Sequence, residues 1–170
     1  MRTNKHGTAL RVPLSGTDAA FGALIVGASG TGKSTLALTL IEQSDALLIA
    51  DDQVIVSKTY NGSVWSDCPA NIAGLLEVRG VGLVPYPYVG KPHPIDLVIE
   101  LVRGGPDLVE RLPEPTFAEV LGVRVPSLTL PTDIDALGLR VIAGLRLLAA
   151  GHWSKIASQS DPRTAPIGAD

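Results

Sequence analysis

Apolar residues fall in short blocks broken by glycine, proline and polar residues, and the spacing inside each block sets the element it predicts. TALRVPL and AFGALIVG, within residues 8–27, read as two strands joined by SGTD, whose Gly16 and Asp18 suit a tight turn. They predict a hairpin that delivers the chain into Gly27. In STLALTLIEQ, residues 34–43, Leu36, Leu40 and Ile41 recur at helical spacing without glycine or proline, so a helix is expected. ALLIADD is a continuous apolar run with two terminal carboxylates, the pattern of a buried strand whose acidic end lies at the sheet's edge. QVIVSKTYNGSVWSDCP carries Asn61-Gly62 between alternating runs and predicts a peripheral hairpin. PYPYVGKPHP, rich in proline and glycine, reads as an exposed loop, and IDLVIELV as a second buried strand. The proline spacing of VERLPEPTFAEVLGVRVPSLTLP predicts short edge strands and turns. Leu137, Val141, Leu145 and Leu148 then mark a closing helix, whose two internal glycines carry a cost in stability.

The chain of 170 residues fits one domain with a real core, assigned to residues 1–156, followed by a polar, proline-containing tail at 157–170 expected to be disordered. Only 4% of residues are aromatic, so that core must be aliphatic. A net charge of -3 argues against nucleic acid as a partner, because phosphate-backbone binding needs a basic excess. The single cysteine, Cys68, allows no internal disulfide, and MRTNKHGTAL has no signal-peptide core. No uncharged apolar stretch approaches the length of a membrane span, so no membrane partner and a cytoplasmic location are expected.

The candidate chemistry begins at GASGTGKST, residues 27–35. Gly27, Gly32, Lys33 and Ser34 satisfy G-x-x-x-x-G-K-[ST], the pattern of a phosphate-binding loop between a strand and a helix. Glycines let backbone N–H groups turn toward a phosphate, and the following helix contributes its positive end. The candidate nucleotide-binding residues are thus Gly27, Ala28, Ser29, Gly30, Thr31, Gly32, Lys33, Ser34 and Thr35, with Lys33 as a movable charge and Ser34 as a ligand for Mg2+. The bland alternative is a glycine-rich turn in which Thr31 and Ser34 merely cap a helix.

A carboxylate ending an apolar strand downstream of such a loop commonly organises the metal's water shell. Two in succession, Asp51 and Asp52, offer one group for the metal or lysine and one as base for an incoming hydroxyl; paired aspartates also simply begin turns. In LLEVRGVG, strand alternation places Glu77 and Arg79 on one face with Val78 inside. Glu77 would serve the metal and Arg79 the phosphate charge, or the two form a surface ion pair. Three functions stay open on these residues: a protein kinase, a kinase of a small metabolite, and a nucleotide-binding regulator without transfer activity.

Taken in order, HG at 6 and 7, GASGTGKS at 27–34, ADD at 50–52 and LEVRGVGL at 76–83 resemble the catalytic domain of the bacterial HPr kinase/phosphorylase family, with a weaker likeness through ERLPEP and LGVRVPSLTLP. The resemblance implies an α/β P-loop fold of the phosphoenolpyruvate carboxykinase-like type, a mixed central sheet with flanking helices. It implies ATP and Mg2+ as cofactors, and a seryl hydroxyl of an HPr-like phosphocarrier protein as acceptor, with phosphorolysis as the further, reverse activity. Carried over, Asp51 deprotonates the seryl hydroxyl, Asp52 lies beside it near His6, Ser34 and Glu77 stand near the metal, and Arg79 and Arg111 hold phosphate in the transition state. A homo-oligomer, with a hexamer as first guess, is also implied. The chain departs from the family in lacking the separate N-terminal domain, so it looks like the short form. Thr35 stands where relatives carry an acid, SGTDAA adds residues between His6 and Gly27, and LPTDIDALG lacks the usual basic residues.

Overall fold

The computed structural model describes residues 1–153. In chain order it contains β1 (Arg2–His6), β2 (Thr8–Pro13), β3 (Ala20–Gly27), α1 (Lys33–Ser44), β4 (Leu47–Ala50), β5 (Gln53–Lys58) and β6 (Val64–Asp67). There follow β7 (Leu75–Val78), β8 (Gly82–Pro85), β9 (His93–Pro94), β10 (Leu97–Val102), β11 (Thr116–Val120), β12 (Val123–Pro131) and α2 (Leu137–Ala149). The tail assigned to 157–170, and the domain end at 156, lie outside the described residues.

Six strands form a mixed sheet in the order β11-β12-β10-β3-β2-β4. β3, β10 and β12 run parallel, while β2 pairs antiparallel with both β3 and β4. Successive side chains of a strand point to opposite faces, and here both faces are covered. Leu10, Val12, Ile25, Leu97, Ile99 and Leu101 pack with Leu36, Leu40, Val141 and Leu145 of the two helices. Ala9, Leu24 and Val98 instead join Val54, Val56 and Val64 of a second, four-stranded sheet ordered β1-β5-β6-β9. The molecule is thus three layers, with helices on one face of the central sheet and a small sheet on the other. Among the described residues no helix is long and apolar enough to cross a membrane.

The expected hairpins at β2–β3 and β5–β6 form, the second around a five-residue connection from Thr59 to Ser63 that contains Asn61-Gly62. The structure adds to or corrects the expected pattern at four places. The 53–67 hairpin is not peripheral: β1 and β9 extend it into the layer that buries Val54 and Val56. β1 had no apolar signature because RTNKH is almost wholly exposed and is held to β5 by backbone pairing. The 116–131 region holds the nine-residue β12 in the sheet interior, where Pro126 is tolerated because pairing with β10 begins one residue later, at Ser127. Finally, the 85–94 loop is anchored to the free edge of β4. The Leu48 N–H donates to Pro87 O at 3.2 Å and the Val89 N–H to Leu48 O at 2.8 Å, satisfying groups that a bare edge would leave open.

Close approach explains two of the glycines. A Cβ on Gly144 of α2 would lie 2.3 Å from Leu128 Cδ1, so this glycine lets the helix sit down on β12. A Cβ on Gly22 would lie 1.7 Å from the Pro94 carbonyl oxygen, where β9 crosses over β3. Asp96 locks that crossing, accepting from the Gly22 N–H at 2.7 Å through Oδ2 while its own N–H donates to Gly22 O at 2.8 Å.

Candidate active site

β3 lies between β2 and β10 and ends at Gly27, so the loop of residues 27–34 leaves the middle of the sheet and enters α1. Gly30 and Gly32 have φ of 75° and 87°, the left-handed region that glycine enters without strain. Gly32 caps α1 without any side-chain hydrogen bond, and the first turn carries no acid. The N–H groups of that turn are thus left without a capping side chain, as at helix ends that bind anions. Lys33, 7% exposed, donates through Nζ to Gly27 O at 3.0 Å and Ala28 O at 3.2 Å. Thr31 Oγ1 closes the loop by donating to Ala28 O at 2.9 Å.

Asp51 follows β4, whose Ala50 faces Ala9 of β2, and this register brings Thr8 beside it. Asp51 is 5% exposed, and its carboxylate gathers donors from three directions. Thr8 Oγ1 donates to Oδ1 at 2.7 Å, Ser34 Oγ approaches Oδ1 at 2.9 Å and Oδ2 at 3.1 Å, and the Glu77 N–H donates to Oδ2 at 3.1 Å. Such charge-assisted bonds fix a buried carboxylate in place. The strand-end acid and the loop serine, 17 positions apart, thereby meet.

Asp52 adopts a left-handed φ of 66° and turns the chain from the central sheet into β5 of the small one. His6 and Gly7 make the same passage between β1 and β2, and the β1–β5 register sets His6 opposite Gln53. His6 Nδ1 consequently lies 3.0 Å from the Asp52 carbonyl oxygen and 3.1 Å from Asp52 Oδ1. Both oxygens are acceptors, so Nδ1 carries the proton that bridges them. The pair is more than half exposed, at 53% and 62%, and stands at the mouth of the site.

A cavity of about 220 Å3 lies between these groups. His6, Ser29, Gly30, Gly32, Lys33, Ser34, Thr35, Asp51, Asp52, Glu77 and Arg79 line it, and each was singled out from the sequence. Glu77 lies on β7, while Arg79 falls one residue beyond that strand, in the turn to β8; Val78 packs toward the helix-side core. Gly27, Ala28 and Thr31 brace the loop from behind rather than line the cavity. Arg111 lies on an exposed segment and is not part of the lining. The residues of SGTDAA sit at the β2–β3 tip, at the other end of the hairpin from His6, and do not displace the histidine.

Sequence reasoning missed two contacts. Thr8 looked like one more strand residue, since nothing in TALRVPL marks its partner. Arg103 Nη2 donates to Ser29 O at 2.8 Å, clamping the phosphate loop from the end of β10. Its position at the carboxyl end of a central parallel strand, where such sheets bind ligands, was a usable signal.

The family model described as the HPr Serine kinase C-terminal domain matches residues 2–142. The chain belongs to this family. Its HPr kinase/phosphorylase relatives include that of Caldicellulosiruptor bescii, 32% identical over an alignment of 138 positions that covers 76% of this chain and 42% of the relative. The relative from Leptothrix cholodnii is 34% identical over an alignment of 142 positions that covers 78% of this chain and 41% of the relative. That of Bordetella pertussis is 40% identical over an alignment of 118 positions that covers 65% of this chain and 36% of the relative. The chain thus matches about two fifths of the length of these HPr kinase/phosphorylases. Among solved structures, the HPr(Ser) kinase/phosphatase from Coxiella burnetii superposes with a TM-score of 0.70 at 25% identity, covering 91% of this chain and 99% of that one. The fold is the α/β P-loop architecture of that kinase/phosphatase.

Proposed function

We propose that the protein is an ATP-dependent serine kinase that phosphorylates a seryl hydroxyl of an HPr-like phosphocarrier protein. The observation that carries this reading is the meeting of the phosphate loop and Asp51 through Ser34 in one cavity, with Asp52 and His6 at its mouth. Family membership supplies the acceptor class.

In this mechanism the N–H groups of the α1 first turn and Lys33 hold the β- and γ-phosphates, and Arg103 fixes the loop that presents them. The acceptor serine enters past Asp52 and His6. Its oxygen forms a bond to the γ-phosphorus as the bond to the bridging β–γ oxygen breaks, and its proton passes to Asp51. Arg79 balances the charge that spreads over the transferring group. Ser34 and Glu77 are the groups that would hold Mg2+, which would supply charge neutralisation on the phosphate oxygens. This set suits the ion in donor chemistry: Ser34 and Glu77 offer oxygen ligands on the lining of one cavity, and Mg2+ bound with a nucleotide takes the rest of its ligands from phosphate and water. Phosphorolysis would use the same site with inorganic phosphate as the attacking group: its oxygen bonds to the phosphoserine phosphorus as the seryl oxygen leaves and takes up a proton, giving pyrophosphate and the free serine. A homo-oligomer, on family resemblance, is the expected assembly.

The test is incubation with γ-labelled ATP, Mg2+ and a panel of HPr-like carriers, with mass spectrometry of the modified residue. A carrier phosphoserine that disappears with Asp51→Ala supports the reading. Labelling of a small metabolite, or of nothing while ATP still binds, would replace it with the metabolite-kinase or regulator function.

A further inference from the structure

A groove of about 790 Å3 lies where the 85–94 loop passes from the edge of β4 to β9, and it shares no lining residue with the catalytic cavity. Both ends of this span are fixed. Val89 is held through its N–H bond to Leu48 O at 2.8 Å, while His93 and Pro94 pair with Ser66 and Trp65 of β6. Pro92 and Pro94 restrict the backbone further, so the groove is formed before anything enters it. Arg11 and Leu47, which face each other in the β2–β4 register, stand at its inner end. Thr8 lies on the same strand as Arg11, and β4 runs from Leu47 toward Asp51, so at about 3.3 Å per strand residue the groove begins roughly 10 Å from the catalytic carboxylate.

Arg11, Lys91 and His93 line the groove, and no carboxylate does. Arg11 is partly buried on a strand of the central sheet, and among the described residues neither it nor Lys91 takes part in an ion pair. In a chain of net charge -3, two cations beside one groove without a counter-ion make a local positive site. Partial burial strips water from a guanidinium, and its planar fork of donors is then best matched by a carboxylate that accepts two of them at once. His93 Nδ1 is engaged by Pro94 O at 3.0 Å, which leaves Nε2 as the ring's remaining polar atom. The rest of the lining is largely apolar, with Leu47, Trp65, Val89 and Pro92. A bare inorganic anion would meet the cations and leave this surface wet, while a neutral apolar molecule would cover the cations without pairing them. An apolar or aromatic body that carries a carboxylate satisfies both.

We propose that this groove is a second binding site, for a small organic acid: Arg11 and Lys91 take its carboxylate, and Leu47, Trp65 and Val89 receive its apolar body. The site is separate from the phosphate-loop cavity and stands whatever reaction that cavity performs.

The test titrates phenylacetate into the isotope-labelled full chain and follows the Trp65 indole N–H and the amides of Val89, Gly90 and Lys91 by NMR. Phenylacetamide, which keeps the ring without the charge, and inorganic phosphate, which keeps the charge without the ring, are titrated for comparison. Phenylacetate is expected to give saturable shifts at these positions with a Kd of about 1–10 mM, as befits so small a probe, and each comparison compound to bind there about fivefold more weakly or worse. Arg11→Gln should weaken phenylacetate about fivefold and Lys91→Gln about threefold; Lys91 is exposed, so its variant serves even where Arg11→Gln fails to fold. No saturation by about 50 mM phenylacetate would overturn the site. Phosphate binding as tightly at Trp65 and the 89–91 amides would reduce it to an anion contact, and phenylacetamide binding as tightly would reduce it to an apolar cleft; either result overturns the proposal. Wild-type affinity in either variant that folds would show that these cations do not hold the carboxylate, and would overturn it as well.

Discussion

Asp51 takes hydrogen bonds from a strand threonine, the phosphate-loop serine and a strand N–H, so each donor can be probed through the shared carboxylate. Thr8 is fully buried, and Thr8→Val keeps its shape while removing the hydroxyl. Stability measured by urea unfolding should drop by about 1–3 kcal/mol, the cost of a lost bond to a buried charged group. Thr8→Ser should recover most of the loss; a Thr8→Val protein as stable as the wild type would mean that the bond contributes nothing. Cys68 offers a pH test. Burial, with the charge of neighbouring Asp67 adding to it, pushes the thiol up to about 11. The reactive thiolate is then about one part in a thousand at pH 8 and grows about tenfold per pH unit until near that value. Alkylation by iodoacetamide should follow this rise, whereas a rate that levels off below pH 9 would contradict the burial.

Where elements meet, Gly22 is the most exacting position. Gly22→Ala would drive a methyl into the Pro94 carbonyl, a contact that backbone, not a yielding side chain, must relieve, and would loosen the Asp96 lock. A loss of about 3 kcal/mol or more is expected in thermal or urea unfolding, and a mild effect would show that β9 can lift off β3 cheaply. The sequence makes legible those elements whose apolar spacing is continuous. β2, β3, β10 and α1 could be read directly because they carry the central core, and their faces alternate as strands and helices require. β1 could not, since its five residues are held by backbone bonds that any sequence can make. β12 was misread because proline usually marks an edge, and only the register shows that Pro126 precedes the pairing with β10. The anchoring of the 85–94 loop to β4 was hidden for a related reason: its hydrogen bonds come from backbone groups of Leu48 and Val89.

Across the whole molecule, the site forms where the chain passes twice between the six-stranded and the four-stranded sheet, at His6-Gly7 and at Asp51-Asp52, beside the loop that leaves β3. Motifs far apart in sequence are thereby brought to one 220 Å3 cavity. The motif residues themselves were legible because phosphate binding restricts residue type at fixed spacing. Their partner Thr8 was not, because long-range register decides it, while Arg103 offered only the signal of its place just after β10. The central claim is that the Asp51 network performs phosphoryl transfer instead of only binding nucleotide. Single-turnover transfer from ATP to an HPr-like carrier, with ATP affinity titrated in parallel, tests it on wild type and Asp51→Asn. The transfer rate of the variant should fall by about 100-fold or more while its ATP affinity stays close to wild type, as expected for loss of a general base. Transfer at an undiminished rate in Asp51→Asn would contradict the account.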